Sequence, residues 1–79
     1  MIKITRIVKT CMACPAQWNA WDDNGDYYYI RYRFGKLTVH KGLNLNELIF
    51  SKVIGGEYDG EINLGRVANH VKNIIEFNQ

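Results

Sequence analysis

The chain has 79 residues, a net charge of +2 and a hydrophobic content of 47%, which excludes two separate cores and excludes an unstructured chain. One domain spanning 1–79 is expected. Its core supplies about 3–5 kcal/mol net, so a homo-oligomer is among the expectations. No stretch approaches the roughly 20 apolar residues of a membrane span. The start Met1-Ile2-Lys3-Ile4-Thr5-Arg6 has charges where a signal peptide needs an apolar run. The expected location is therefore the cytoplasm, with no membrane association and with Cys11 and Cys14 as reduced thiols.

Residues 2–10 are rich in Ile, Val and Thr and predict a strand with Ile2, Ile4 and Val8 inward, slipping near Arg6-Ile7-Val8 as a bulge would. Pro15 cannot donate to a ladder and marks a strand edge or start. Residues 17–22 predict a second strand, with Trp18 and Ala20 on one face and Gln17, Asn19 and Trp21 on the other. Asp22-Asp23-Asn24-Gly25-Asp26 then carries the Asn-Gly pair that signals a hairpin. Residues 27–34 are the strongest strand signal in the chain. Tyr28, Ile30, Tyr32 and Phe34 form its core face; Tyr27, Tyr29, Arg31 and Arg33 form the other. Gly35-Lys36 predicts a tight turn. Residues 37–41 predict a fourth strand, with Leu37 and Val39 inward and Thr38 and His40 outward.

After Gly42 the pattern turns helical. Asn44 with Glu47 resembles a capping box, Leu45, Leu48, Ile49, Val53 and Ile54 keep helical spacing, and Gly55-Gly56 supplies a stop. Asn63 caps a second helix, with Leu64, Val67, Ala68, Val71, Ile74 and Ile75 as its apolar stripe. The predicted architecture is α+β: a three- or four-stranded antiparallel meander with two C-terminal helices packed on one face.

Catalytic constellations are missing. Ser51 falls inside a predicted apolar helix, the histidines lack suggestive neighbours, and no glycine-rich phosphate loop occurs. Asp22, Asp23 and Asp26 belong to a turn, where Asp is favoured for backbone reasons. Glu57-Tyr58-Asp59-Gly60-Glu61-Ile62 has the order of the middle of a calcium loop, but Gly55 and Arg66 stand where main ligands are needed. Cys11-Met12-Ala13-Cys14 is a C-x-x-C, a zinc-binding spacing when a second ligand pair exists. His40 and His70 could complete such a set only from a strand and a helix. Two reduced thiols near a strand turn is the plainer reading, and no cofactor or metal is expected.

The remaining feature is the face of Tyr27, Tyr29, Arg31 and Arg33, with Trp21 and His40 as neighbours. It lies in the basic half of the chain: residues 1–43 hold seven Lys/Arg against three Asp, whereas 44–79 hold three Lys/Arg against five acids. In the plain structural reading the tyrosines pair with Trp21 across strands and the arginines pair with surface acids. In the functional reading the face binds a partner. Tyr and Arg are enriched at protein–protein hot spots, while exposed aromatics with Arg also stack bases and contact phosphates. The strand lacks the glycines of the RRM signature. A non-enzymatic binding protein with a protein partner is the expectation; a nucleic acid or a nucleotide-like small ligand on the same face is the alternative.

Cys14-Pro15-Ala16-Gln17-Trp18, the turn that follows, and Tyr29-Ile30-Arg31-Tyr32-Arg33-Phe34-Gly35 together resemble a pattern in small uncharacterised proteins of bacteria and their phages. The resemblance covers about residues 14–39 and transfers no functional residue. It implies a bacterial or phage setting, in which small accessory proteins often act by blocking a host component such as a defence enzyme.

Overall fold

The computed structural model describes residues 1–11, 16–42, 47–56 and 62–78. They form strands β1 (Ile2–Cys11), β2 (Ala16–Asp22), β3 (Tyr27–Arg33), β4 (Lys36–Lys41) and β5 (Glu47–Val53), helix α1 (Leu64–Val71) and strand β6 (Ile75–Phe77). The six strands make one curled sheet in the order β5-β4-β3-β2-β1-β6. Strands β1 to β5 pair antiparallel in succession, and β6 runs parallel to β1. This overturns the three- or four-stranded meander with two C-terminal helices: among the described residues there are six strands and one helix of eight residues.

The described part of the first predicted helix is strand β5, while its Asn44 cap and Leu45 lie outside the described residues. Its run Leu48-Ile49-Phe50 puts apolar residues at consecutive positions, which no simple strand period does. The cause is a register shift opposite Val39 and His40, where β4 pairs first with Phe50 and then with Leu48. The bulge inserts Ile49 as an extra residue and breaks the alternation. Pairing along β4 gives both backbones their hydrogen bonds, and Ile, Phe and Val suit a pleated strand. Ser51 accordingly lies exposed on β5 opposite Thr38, not within a helix.

The second predicted helix exists but is shorter. Asn63 caps it, its side chain accepting from the Arg66 N–H at 2.9 Å. Val67 and Val71 are its buried residues. The apolar stripe continues into Ile75, which belongs to β6: Ile75 and Phe77 pair with Ile2 and Ile4 of β1, and the Ile2 N–H donates to the Ile74 carbonyl at 2.9 Å. The two ends of the chain are thus joined in one sheet.

One core fills the inner face. Ile4, Ala16, Trp18, Ala20, Tyr28, Ile30, Tyr32, Leu37 and Val39 from the sheet meet Ile62, Val67, Val71 and Ile75. Tyr28, Ile30 and Tyr32 take the central place their spacing predicts, each fully buried side chain contributing about 1.5–3 kcal/mol. Two expected core positions are displaced. Val8 is exposed, because a register shift between Ile4 and Arg6 changes the phase of β1 and turns Ile7 inward instead. Phe34 is 62% exposed, because β3 ends at Arg33 and Phe34 starts the turn.

Candidate functional site

The outer face of the sheet is built by alternation. β2 buries every second residue from Ala16 and β3 every second residue from Tyr28. Gln17, Asn19 and Trp21, and Tyr27, Tyr29, Arg31 and Arg33, therefore point away from the core. Registers then align them into cross-strand rows. Trp21 lies between Arg6 and Tyr27. Tyr29 lies between Asn19 and His40, with Val8 and Leu48 at the two ends of that row. Arg31 lies between Gln17 and Thr38, and Arg33 faces Lys36. The six residues singled out by the sequence, Trp21, Tyr27, Tyr29, Arg31, Arg33 and His40, all stand on this one face.

Its first end is an aromatic stack. The Trp21 and Tyr27 rings are 5.7 Å apart and tilted by 57°. The Arg6 guanidinium sits 4.8 Å from the Trp21 ring centroid, a cation–π contact. The Tyr27 hydroxyl donates to Asn19 Oδ1. Burial, reinforced by the neighbouring Tyr29, pushes the Tyr27 phenol above its ordinary value, so it stays a neutral donor. The pairing of Trp21 with Tyr27 matches the plain structural reading of the sequence. The expected pairing of arginines with surface acids does not appear: among the described residues the ion pair is Lys41 with Asp26 at 3.7 Å.

Its other end is cationic. The turn between β3 and β4 is made by Phe34 and Gly35, with φ of 55° and 73°. Both residues of a two-residue hairpin loop of this kind have positive φ. The turn thus falls one residue earlier than the predicted Gly35-Lys36, and Lys36 opens β4 opposite Arg33. Below the turn, the Gly35 carbonyl accepts from the N–H groups of Ile54 and Gly55 at 2.8 and 3.0 Å. A Cβ on Gly35 would lie 2.3 Å from the Gly55 carbonyl oxygen, so only glycine fits. Arg31, Arg33, Phe34, Lys36 and Thr38 line a cavity of about 220 Å³ at this corner. The Arg33 guanidinium covers one side of the Phe34 ring at 4.5 Å. Arg31 Nε is buried and meets no hydrogen-bond acceptor among the described residues.

Sequence reasoning missed Arg6, Phe34, Lys36 and Leu48. Phe34 and Lys36 were legible had Phe34-Gly35 been read as a two-residue loop. Arg6 and Leu48 each sit beside a bulge: the slip in alternation signalled the one in β1, which falls between Ile4 and Arg6, while the one in β5 was hidden by helical spacing.

A second cavity, of about 460 Å³, lies under the first hairpin, lined among others by Met1, Asp22, Asp23, Asp26, Tyr28 and Lys41. Asp22 is buried there. Its Oδ1 accepts from the N–H groups of Asn24 and Asp26, each at 2.9 Å, and its Oδ2 accepts from the Tyr28 hydroxyl at 2.7 Å. Burial alone would raise this carboxyl. The Tyr28 and backbone hydrogen bonds and the Lys41 charge outweigh it and hold the carboxyl below its ordinary value of 3.8. This carboxylate is occupied in holding the turn.

His40 lies on the outer side of β4, while His70 belongs to the helix over the inner side, so the sheet separates them. Cys14 and residues 57–61 lie outside the described residues. Among the described residues no group of three His, Cys, Asp or Glu is placed to hold a metal, and no helix is long and apolar enough to cross a membrane. No protein-family model, curated protein or solved structure matches this chain.

Proposed function

We propose that this chain is a small non-enzymatic binding protein that docks an acidic protein surface on the outer face of its sheet. One observation carries the proposal. Among the described residues, four of the five exposed large apolar side chains, Val8, Phe34, Leu48 and Val53, stand on this face or on the turn that ends it. Around them are Arg6, Arg31, Arg33 and Lys36, and the described outward positions of β1 to β5 hold no carboxylate. Apolar ground with aromatics and Arg is the composition of protein hot spots. Unopposed cations select an acidic partner and speed its approach.

Nucleic acid is the weaker reading of the same face. A single strand is held by cations tracking its backbone. Here the cations collect at the two ends, and the middle row of Val8, Asn19, Tyr29, His40 and Leu48 carries no fixed charge. The resemblance of residues 14–39 to bacterial and phage proteins points to a host protein as the partner and to inhibition as the outcome.

The test compares capture from bacterial lysate by the wild type, Arg31→Glu/Arg33→Glu and Leu48→Asp, each first shown to be folded by circular dichroism. A protein held by the wild type, lost by both variants and released by salt supports the proposal. Identical capture by all three overturns it, as does capture of nucleic acid alone.

A further inference from the structure

The corner between β3 and β4 departs from three local rules of stability at once. Phe34 has a φ of 55°, where Asn or Gly would be unstrained and a bulky side chain is rare. Its ring is nevertheless 62% exposed, so burial does not explain its presence. Arg33 and Lys36 are directly opposed across the strands, an arrangement of like charges that weakens a hairpin. Arg31, one outward position further along, has its Nε buried without an acceptor among the described residues, although buried donors are ordinarily paired. All of them line the same cavity of about 220 Å³. Backbone strain, like-charge crowding and an unpaired donor that converge on one concavity are what a ligand site produces.

We propose that this corner is a binding pocket for a phosphate monoester attached to a flat ring, a nucleoside 5′-monophosphate being the smallest such ligand. A doubly charged phosphate relieves the Arg33–Lys36 repulsion and offers oxygens to the Arg31 guanidinium, whose planar fork matches phosphate geometry. Thr38, on the pocket wall, donates its hydroxyl to the Arg31 carbonyl over a long 3.4 Å and can exchange that weak bond for one to a phosphate oxygen. The cavity is smaller than the roughly 300–1,000 Å³ of pockets that enclose whole ligands. It therefore encloses the charged end and leaves the ring outside. Phe34 is where that ring rests: Arg33 covers one side of the phenyl group, and the rest is open for stacking. The proposal goes beyond protein docking and does not depend on it, because the pocket needs no macromolecule to complete it.

The test is an amide NMR titration of the wild type, Lys36→Gln and Phe34→Asn with adenosine 5′-monophosphate, with inorganic phosphate and with adenosine. Saturable shifts at Arg31, Arg33, Lys36 and Thr38 are expected for the nucleotide, with affinity about fivefold or more above phosphate. Lys36→Gln weakens the nucleotide about threefold or more, and Phe34→Asn brings it down to the level of phosphate. The absence of saturable shifts at about 10 mM nucleotide overturns the proposal. So does equal affinity for nucleotide and phosphate, or binding unchanged in Lys36→Gln. These variants leave Arg31, Arg33 and Leu48 intact, so failure here is separate from failure of the docking test.

Discussion

Replacing Asp22 by Ala removes the acceptor for three donors at once: the N–H groups of Asn24 and Asp26 and the hydroxyl of Tyr28. The two N–H groups are only partly buried and find water, so each costs about 0.5–1 kcal/mol. The Tyr28 hydroxyl is buried, and leaving it unpaired costs about 1–3 kcal/mol. The expected loss is about 2–5 kcal/mol, against a total stability of about 4–12 kcal/mol for a chain of this length. Urea unfolding followed by the fluorescence of Trp18 and Trp21 measures it, because Trp18 leaves the core on unfolding. The decisive comparison is a double-mutant cycle with Tyr28→Phe. In wild type, Tyr28→Phe strips the carboxylate of its donor and destabilises. In the Asp22→Ala background it removes a stranded hydroxyl and is neutral or stabilising. A loss under about 1 kcal/mol for Asp22→Ala, or additivity of the two changes, refutes the reasoning that this buried carboxylate holds the hairpin.

Gly35→Ala costs about 3 kcal/mol or more, because a positive φ of 73° is joined to a Cβ contact of 2.3 Å with backbone. Gly25→Ala, with a φ of 83° and open space around it, costs about 1 kcal/mol; thermal unfolding of both that gives Gly35→Ala the smaller loss contradicts the docked turn. Phe34→Asn stabilises by about 0.5–1 kcal/mol, since relief of the left-handed strain exceeds the lost contact with Arg33; a lower urea midpoint for the variant speaks against it. The lowered Asp22 pKa contributes stability that is complete above pH 3.8 and is lost as pH falls below it, through the still lower folded value. Tyr28 is raised by burial and by its bond to Asp22, so its contribution is complete below pH 10 and is lost as pH rises above it. Asp22→Asn should flatten the acid limb of the stability–pH curve and Tyr28→Phe the alkaline limb, both read by urea midpoints across pH.

What the residues determine by themselves is the centre of the sheet. In β2, β3 and β4 each strand alternates without interruption, and the turns between them carry Asn24-Gly25 and Gly35. Period two and turn chemistry are local, so Trp18, Ala20, Tyr28, Ile30, Tyr32, Leu37 and Val39 could be assigned inward from sequence alone. The same alternation placed Trp21, Tyr27, Tyr29, Arg31, Arg33 and His40 outward. The Asn63 cap was equally local.

The margins of the sheet were decided by tertiary structure. Segment 47–53 carries helical spacing, yet the hydrogen-bonding edge of β4 claims it as a strand, and a bulge absorbs the misfit at Ile49. The stripe of α1 runs on to Ile75, but parallel pairing with Ile2 takes the last residues from the helix. In both places a neighbouring strand offers every backbone group a partner, and that gain exceeds the few tenths of a kcal/mol per residue that separate intrinsic propensities. The corner at Phe34 is the same lesson at the site. Sequence spacing placed Phe34 in the core, whereas the close approach of Gly35 to Gly55 fixes where the hairpin turns. That contact joins residues twenty apart in the chain. It sets Arg33 against Lys36, brings Phe34 to the surface beside them, and so creates a cationic, aromatic pocket that no local pattern describes.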